Sequence, residues 1–143
     1  MKFKPILSLF FLAFCSISYG QVEEVNPPDF IKTINFTGDS NESQLPIIKL
    51  GAPLSLEFDA LNGDEEDFYY TIEYFNFDWT PAVLVKSEYL EGIDNQRIRN
   101  YENSFNTYQI YSHYKLSIPN EQTKRLKVSG NYIIKVFNDS GKL

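Results

Sequence analysis

The chain has 143 residues and carries 13 Lys and Arg against 19 Asp and Glu, a formal net charge of −6 at pH 7. That length holds one domain plus a leader and excludes a multidomain enzyme, while the acid excess speaks against a phosphate backbone as partner, which needs clustered Lys and Arg. With 10 tyrosines, 12 phenylalanines and 43% apolar residues, the composition excludes a disordered tail and predicts a packed core.

Met1-Lys2-Phe3-Lys4 sets two cations ahead of an apolar run from Pro5 to Ile17, and Ser18-Tyr19-Gly20 supplies small residues three and one positions before Gln21. A basic start, a short apolar middle and a small-residue exit make residues 1–20 a secretory signal peptide. The run is shorter than the ~20 apolar residues of a membrane helix. A lipoprotein box with Cys15 as the acylated residue is the rival reading; Phe14 is bulky where such a box takes a small side chain. Cleavage after Gly20 removes Lys2 and Lys4 and no acid. It leaves a more acidic body without cysteine, which must hold together without disulfides.

Residues 21–29 are acidic and contain Pro27-Pro28, a linker into a domain spanning 30–143. Phe30, Ile34 and Phe36 share one side of a first strand, interrupted by Lys32. Leu54, Leu56 and Phe58 alternate with Ser55 and Glu57 in a second. The aromatic and β-branched run Phe68 to Phe75 is a third, with Tyr70, Ile72 and Tyr74 on one face. Asn62-Gly63 between them is a tight-turn signal, so 54–75 is expected to form a hairpin.

Thr80 to Ser104 has no sustained alternation and is much longer than the ~2–6 residues of common connections. Long ordered connections tend to carry function. Here Arg97, Ile98, Arg99 and Tyr101 make a basic and aromatic spot on an acidic chain. Arg and Tyr combine area with directed hydrogen bonds, so Arg97, Arg99 and Tyr101 are the candidate protein interface. The competing role is internal, with Arg97 or Arg99 paired to Glu102 or Asp94.

Alternation is clearest at 108–118, with Tyr108, Ile110, Tyr114, Leu116 and Ile118 on one face. Leu126 to Val128 then leads through Ser129-Gly130-Asn131 into the strand 132–137, and Asn138-Asp139-Ser140-Gly141 signals another turn. Strands of this kind without an amphipathic helix predict an all-β, immunoglobulin-like sandwich with one long irregular connection. Gly130-Asn131-Tyr132 resembles the corner of such sandwiches where a tyrosine hydroxyl returns to the backbone; the alternative is a plain core aromatic. A turn signal after 132–137 leaves that strand short of a hairpin partner, so the sequence is expected to be a fragment lacking downstream domains.

Chemistry-bearing constellations are sparse. His113 is the only histidine and falls on a polar strand face, so a nucleophile–base pair or a zinc site lacks its usual residues. No glycine-rich phosphate loop follows a strand, and no cofactor is expected. Glu57, Asp59, Asp64, Glu65, Glu66 and Asp67 offer oxygens to calcium, but Phe58 and Leu61 stand where that loop template needs donors. A solvated hairpin tip is the better reading. Carboxylate-only hydrolysis needs two placed acids, and nothing picks out a pair.

Long blocks of the chain resemble a known family. Leu56-Glu57-Phe58-Asp59-Ala60-Leu61-Asn62-Gly63-Asp64, Asp78-Trp79, Leu84-Val85-Lys86-Ser87-Glu88-Tyr89-Leu90, Asp94-Asn95-Gln96-Arg97-Ile98-Arg99, Tyr101-Glu102-Asn103-Ser104-Phe105 and Tyr111-Ser112-His113-Tyr114 are similar to the first domain of the type IX secretion system plug protein family. The resemblance implies a non-enzymatic periplasmic protein of Bacteroidota-type bacteria that closes the periplasmic mouth of an outer-membrane barrel translocon, with no nucleic acid or small-molecule substrate as partner. It carries no site residues with it. The alternative is an exported carbohydrate-binding or adhesive sandwich, with Phe77, Trp79 and Tyr89 as a stacking platform.

Overall fold

A computed structural model describes residues 24–38, 45–63 and 65–141. The expected leader, Asp64, Lys142 and Leu143 lie outside the described residues. In chain order the elements are β1 (Ile31–Thr37), β2 (Leu54–Ala60), β3 (Phe68–Phe75), the single-turn helix α1 (Lys86–Tyr89), β4 (Leu90–Gly92), β5 (Gln96–Arg97), β6 (Tyr101–Asn103), β7 (Ser112–Ile118), β8 (Thr123–Leu126) and β9 (Asn131–Asn138). Every strand pairing among the described residues is antiparallel. One sheet runs β1-β2-β7-β6, a second β5-β3-β9, and β4 pairs with β8 as a two-stranded ribbon. The all-β sandwich expected from the alternation is the fold.

Period-two patterning explains the core directly, because successive side chains of a strand point to opposite faces. Leu54, Leu56, Phe58 and Ala60 of β2 are buried alternately with half-buried polar neighbours, and Ser112, Tyr114, Leu116 and Ile118 of β7 alternate with half-buried or exposed polar ones. Opposite them stand Phe68, Tyr70 and Ile72 of β3. The two layers lock through an aromatic trio: Phe58 and Phe68 meet edge-on at 5.2 Å, Phe68 and Tyr114 edge-on at 4.9 Å, and Phe58 stacks on Tyr114 at 5.3 Å. Edge-to-face and offset packing of this kind adds about 0.5–1.5 kcal/mol per pair beyond area burial.

Two expectations are corrected. Residues 54–75 do not form a hairpin: β2 pairs with β1 and β7, and β3 with β5 and β9. The apolar faces of β2 and β3 are better buried against each other than side by side, so the chain arches from one sheet to the other at Asn62-Gly63. The strand expected over 108–118 begins only at Ser112. Tyr108 is fully exposed and Ile110 is 57% exposed, so their parity with Tyr114 reflects a loop that happens to share the alternation.

The sandwich corner at Tyr132 is present. Its hydroxyl donates to the Val128 carbonyl at 2.6 Å, four residues upstream, while the ring packs against Tyr74 and Tyr89.

Candidate interaction surface

The long connection is anchored at several points. Asp94 is buried, and its Oδ2 accepts from the Ile72 amide at 2.7 Å and from Lys86 Nζ at 2.6 Å. A buried chain of donors follows a single direction: Asn120 Nδ2 donates to the Tyr70 hydroxyl, Tyr70 to Thr123 Oγ1, and Thr123 to the Ile93 carbonyl, each at 2.8–2.9 Å. Thr123 has no exposed surface, and satisfied groups of this kind fix geometry because leaving one unpaired costs about 1–3 kcal/mol. Ile98 is buried, and its amide donates to the Phe68 carbonyl at 2.7 Å. That anchor turns the flanking Arg97 and Arg99 outward.

Arg97 sits across from Tyr69 in the β3–β5 ladder, and its Nη2 lies 2.6 Å from Asp67 Oδ1. Both side chains are partly exposed, so the pair is worth at most about 1 kcal/mol. Tyr101 stacks on Tyr114 at 5.4 Å and donates its hydroxyl to Glu65 Oε2 at 2.8 Å. Asn103 Nδ2 donates to the other oxygen, Glu65 Oε1, at 2.6 Å. The hydrogen bonds from Asn103 and then Tyr101 hold the Glu65 carboxyl below the usual glutamate range, and the bond to Glu65 pushes the Tyr101 hydroxyl above the usual tyrosine value. Glu66 accepts from Asn62 at 3.0 Å and from Asn138 at 2.7 Å.

The acidic tip and the basic, aromatic spot are therefore each other's partners. Neither internal pairing expected for the arginines occurs, since Asp94 is taken by Lys86 and Arg97 by Asp67. The tip is solvent-exposed as expected, at Asn62, Gly63 and Glu65, and its carboxylates Glu65 and Glu66 are hydrogen-bonded as well. Sequence spacing could not show this, because Glu65 and Asp67 are brought to residues 97–103 only by the arch between sheets. Arg99 is exposed, with no ion-pair partner among the described residues.

Chemistry elsewhere is limited. His113 Nδ1 lies 2.7 Å from Asp59 Oδ1, directly across the β2–β7 ladder. Among the described residues no group of three His, Cys, Asp or Glu side chains is placed to hold a metal ion. The stacking platform loses Tyr89, which is buried under Tyr74 at 5.7 Å, leaving Trp79 at 40% and Phe77 at 92% exposure.

A groove of about 550 Å³ lies between the two sheets, lined mainly by apolar side chains including Phe36, Ile48, Leu54, Trp79, Tyr132 and Ile134.

Residues 31–143 match the sequence model of the type 9 secretion system plug protein 1st domain. A solved structure, described as that of a hypothetical protein from Parabacteroides merdae ATCC 43184, is 33% identical with a TM-score of 0.73. The likeness covers 79% of this chain and 29% of that one, so the chain spans less than a third of its relative. No curated protein matches significantly.

Proposed function

The chain belongs to the type 9 secretion system plug protein family, through that family's first domain, and from this premise we propose that it serves as a non-enzymatic periplasmic part closing the inner mouth of an outer-membrane barrel translocon. The observation that carries the reading is the family match along residues 31–143. A channel wide enough for folded proteins leaks unless a folded body occludes it, and occlusion asks for shape, stiffness and a docking surface. The bonded long connection supplies stiffness. The outward Arg99, beside Arg97 and Tyr101, supplies a surface of the residue types that anchor protein contacts.

The test uses the natural polypeptide in its own bacterium. Tagged protein should co-purify with a large outer-membrane barrel, and its deletion should raise the permeability of the outer membrane to large solutes. Unchanged permeability together with no barrel in the purified fraction would overturn the assignment.

A further inference from the structure

Single exposed apolar side chains are ordinary on protein surfaces. The loop joining β6 to β7 is a different case, because its exposure is built. Residues 104–111 include no charged side chain, and they direct Phe105, Tyr108 and Ile110 into solvent. The loop is longer than the ~2–5 residues that close an ordinary hairpin, yet it is not slack. The Ser104 amide donates to the Tyr111 carbonyl at 2.8 Å, the Tyr111 amide donates to Ser104 Oγ at 2.9 Å, and Thr107 Oγ1 donates to the Gln109 carbonyl at 2.8 Å. Gln109 Nε2 then ties the loop to the Leu61 carbonyl of the neighbouring arch at 3.2 Å. Asn106 stands at φ +57°, a left-handed conformation that asparagine tolerates better than other residues with a side chain. Hydrogen bonds thus hold two aromatic rings away from the core, in a shape fixed before any partner arrives.

The charge around the loop says what kind of surface it fits. Glu102 is exposed on the strand that leads into it, and Asn103 and Tyr101 hold the Glu65 carboxylate at its foot. The Glu66 carboxylate, on the same arch, accepts from Asn62 and Asn138. None of these three acids has an ion-pair partner among the described residues. The nearby cations are placed otherwise: Arg97 on Asp67, Lys115 on Glu57, Lys32 across the ladder from Asp59, and Arg99 ahead of β6, at the end away from the loop. Uncharged rings inside a collar of unpaired acids are repelled by an anionic lipid surface. They match a protein pocket with an apolar floor and Lys or Arg on its rim, where the rings fill the floor and the acids meet the rim. We propose that Phe105 and Tyr108 are the anchors by which this domain docks on the barrel translocon, entering an apolar pocket of the barrel rimmed by cations. The inference rests on the proposed function and narrows it to one loop. Tyr101 lies on the strand that leads into that loop, so the contact continues along β6 from the residues already named.

Hydroxyl-radical footprinting of the full-length natural polypeptide, alone and in complex with the barrel, reads the two rings directly. Both should react as free side chains in the isolated protein and at least about 10-fold more slowly in the complex, as desolvated interface anchors do. Protection already present in the isolated protein would overturn the proposal, because the rings then pack within the polypeptide. Equal reactivity in the two samples would overturn it as well. The Phe105→Ser, Tyr108→Ser double variant should keep its melting temperature, since neither ring is buried, and should bind the barrel at least about 30-fold more weakly. Glu102→Lys reverses one charge of the collar and should weaken binding at low salt more than at high salt; strengthened binding would mean that the rim is not cationic. Wild-type binding to phosphatidylglycerol vesicles that the double variant loses would assign the loop to lipid instead. The two readings fail separately: a wild type that captures no barrel overturns the proposed function and this contact with it, whereas a barrel captured equally by wild type and double variant overturns the loop alone.

Discussion

Glu65 accepts one hydrogen bond on each carboxylate oxygen, from Asn103 and Tyr101, and its titration is the most direct readout of the tip network. Its folded pKa lies below the ordinary glutamate value, with Asn103 the largest cause. The network's contribution is therefore present above that ordinary value and is lost as pH falls through the depressed one. Carbon-detected NMR of the Glu65 carboxyl should show the titration midpoint rising in Asn103→Ala and in Tyr101→Phe; absent shifts in both would mean that the clamp does not form in solution. The neighbouring arginines differ in kind. Arg97→Ala breaks a surface pair and should cost at most about 1 kcal/mol. Arg99→Ala should leave thermal unfolding unchanged, and under the proposed function the double change weakens co-purification with the barrel. A large drop in melting temperature with intact capture would assign both arginines to internal packing instead.

At the scale of single elements, Gly92 marks a place where two segments touch. It has φ +100°, and a Cβ there would stand 2.0 Å from the Gln122 carbonyl oxygen. Gly92→Ala combines left-handed strain of ~1–2 kcal/mol with a backbone clash, so chemical denaturation should register a loss of about 3 kcal/mol or more. The Tyr132 corner is gentler, and Tyr132→Phe should cost about 1 kcal/mol by deleting one hydrogen bond. These elements also show what the sequence disclosed. Alternation in β2, β3 and β7 revealed the core face because burial on one side enforces period two, and Gly130-Asn131-Tyr132 pointed to the corner. Sheet membership was hidden, since Asn62-Gly63 turns the chain equally well within a sheet or between two. The tip network was hidden for the same reason. Asn103, which grips Glu65, had no local signal because its partner lies 38 positions away, and Asp94, weighed in the sequence as an arginine's partner, takes Lys86 and the Ile72 amide instead.

Across the whole molecule, charged side chains are matched along the strands. Glu57 meets Lys115 at 2.6 Å and Glu91 meets Arg125 at 2.7 Å, each pair directly opposed in its ladder. Such pairs secure register more than stability. The tyrosines make the protein sensitive to base. Burial foremost pushes the hydroxyls of Tyr89, Tyr114 and Tyr132 above the usual tyrosine value. Their protonated forms are favoured by folding, so this contribution is intact below the ordinary pKa of about 10 and is lost as pH rises through the elevated folded values. Ionisation of these three hydroxyls, followed by tyrosinate absorbance, should therefore coincide with collapse of the near-ultraviolet circular dichroism. Complete ionisation without unfolding would refute the buried placement.

Trp79 is the only tryptophan in the chain, and it lines the groove while remaining 40% exposed. The native polypeptide thus contains its own optical gauge. Covering the indole moves it from water into an apolar surround and shifts its emission to shorter wavelength, so intrinsic fluorescence can follow groove occupancy in unlabelled material, against a background free of other indoles.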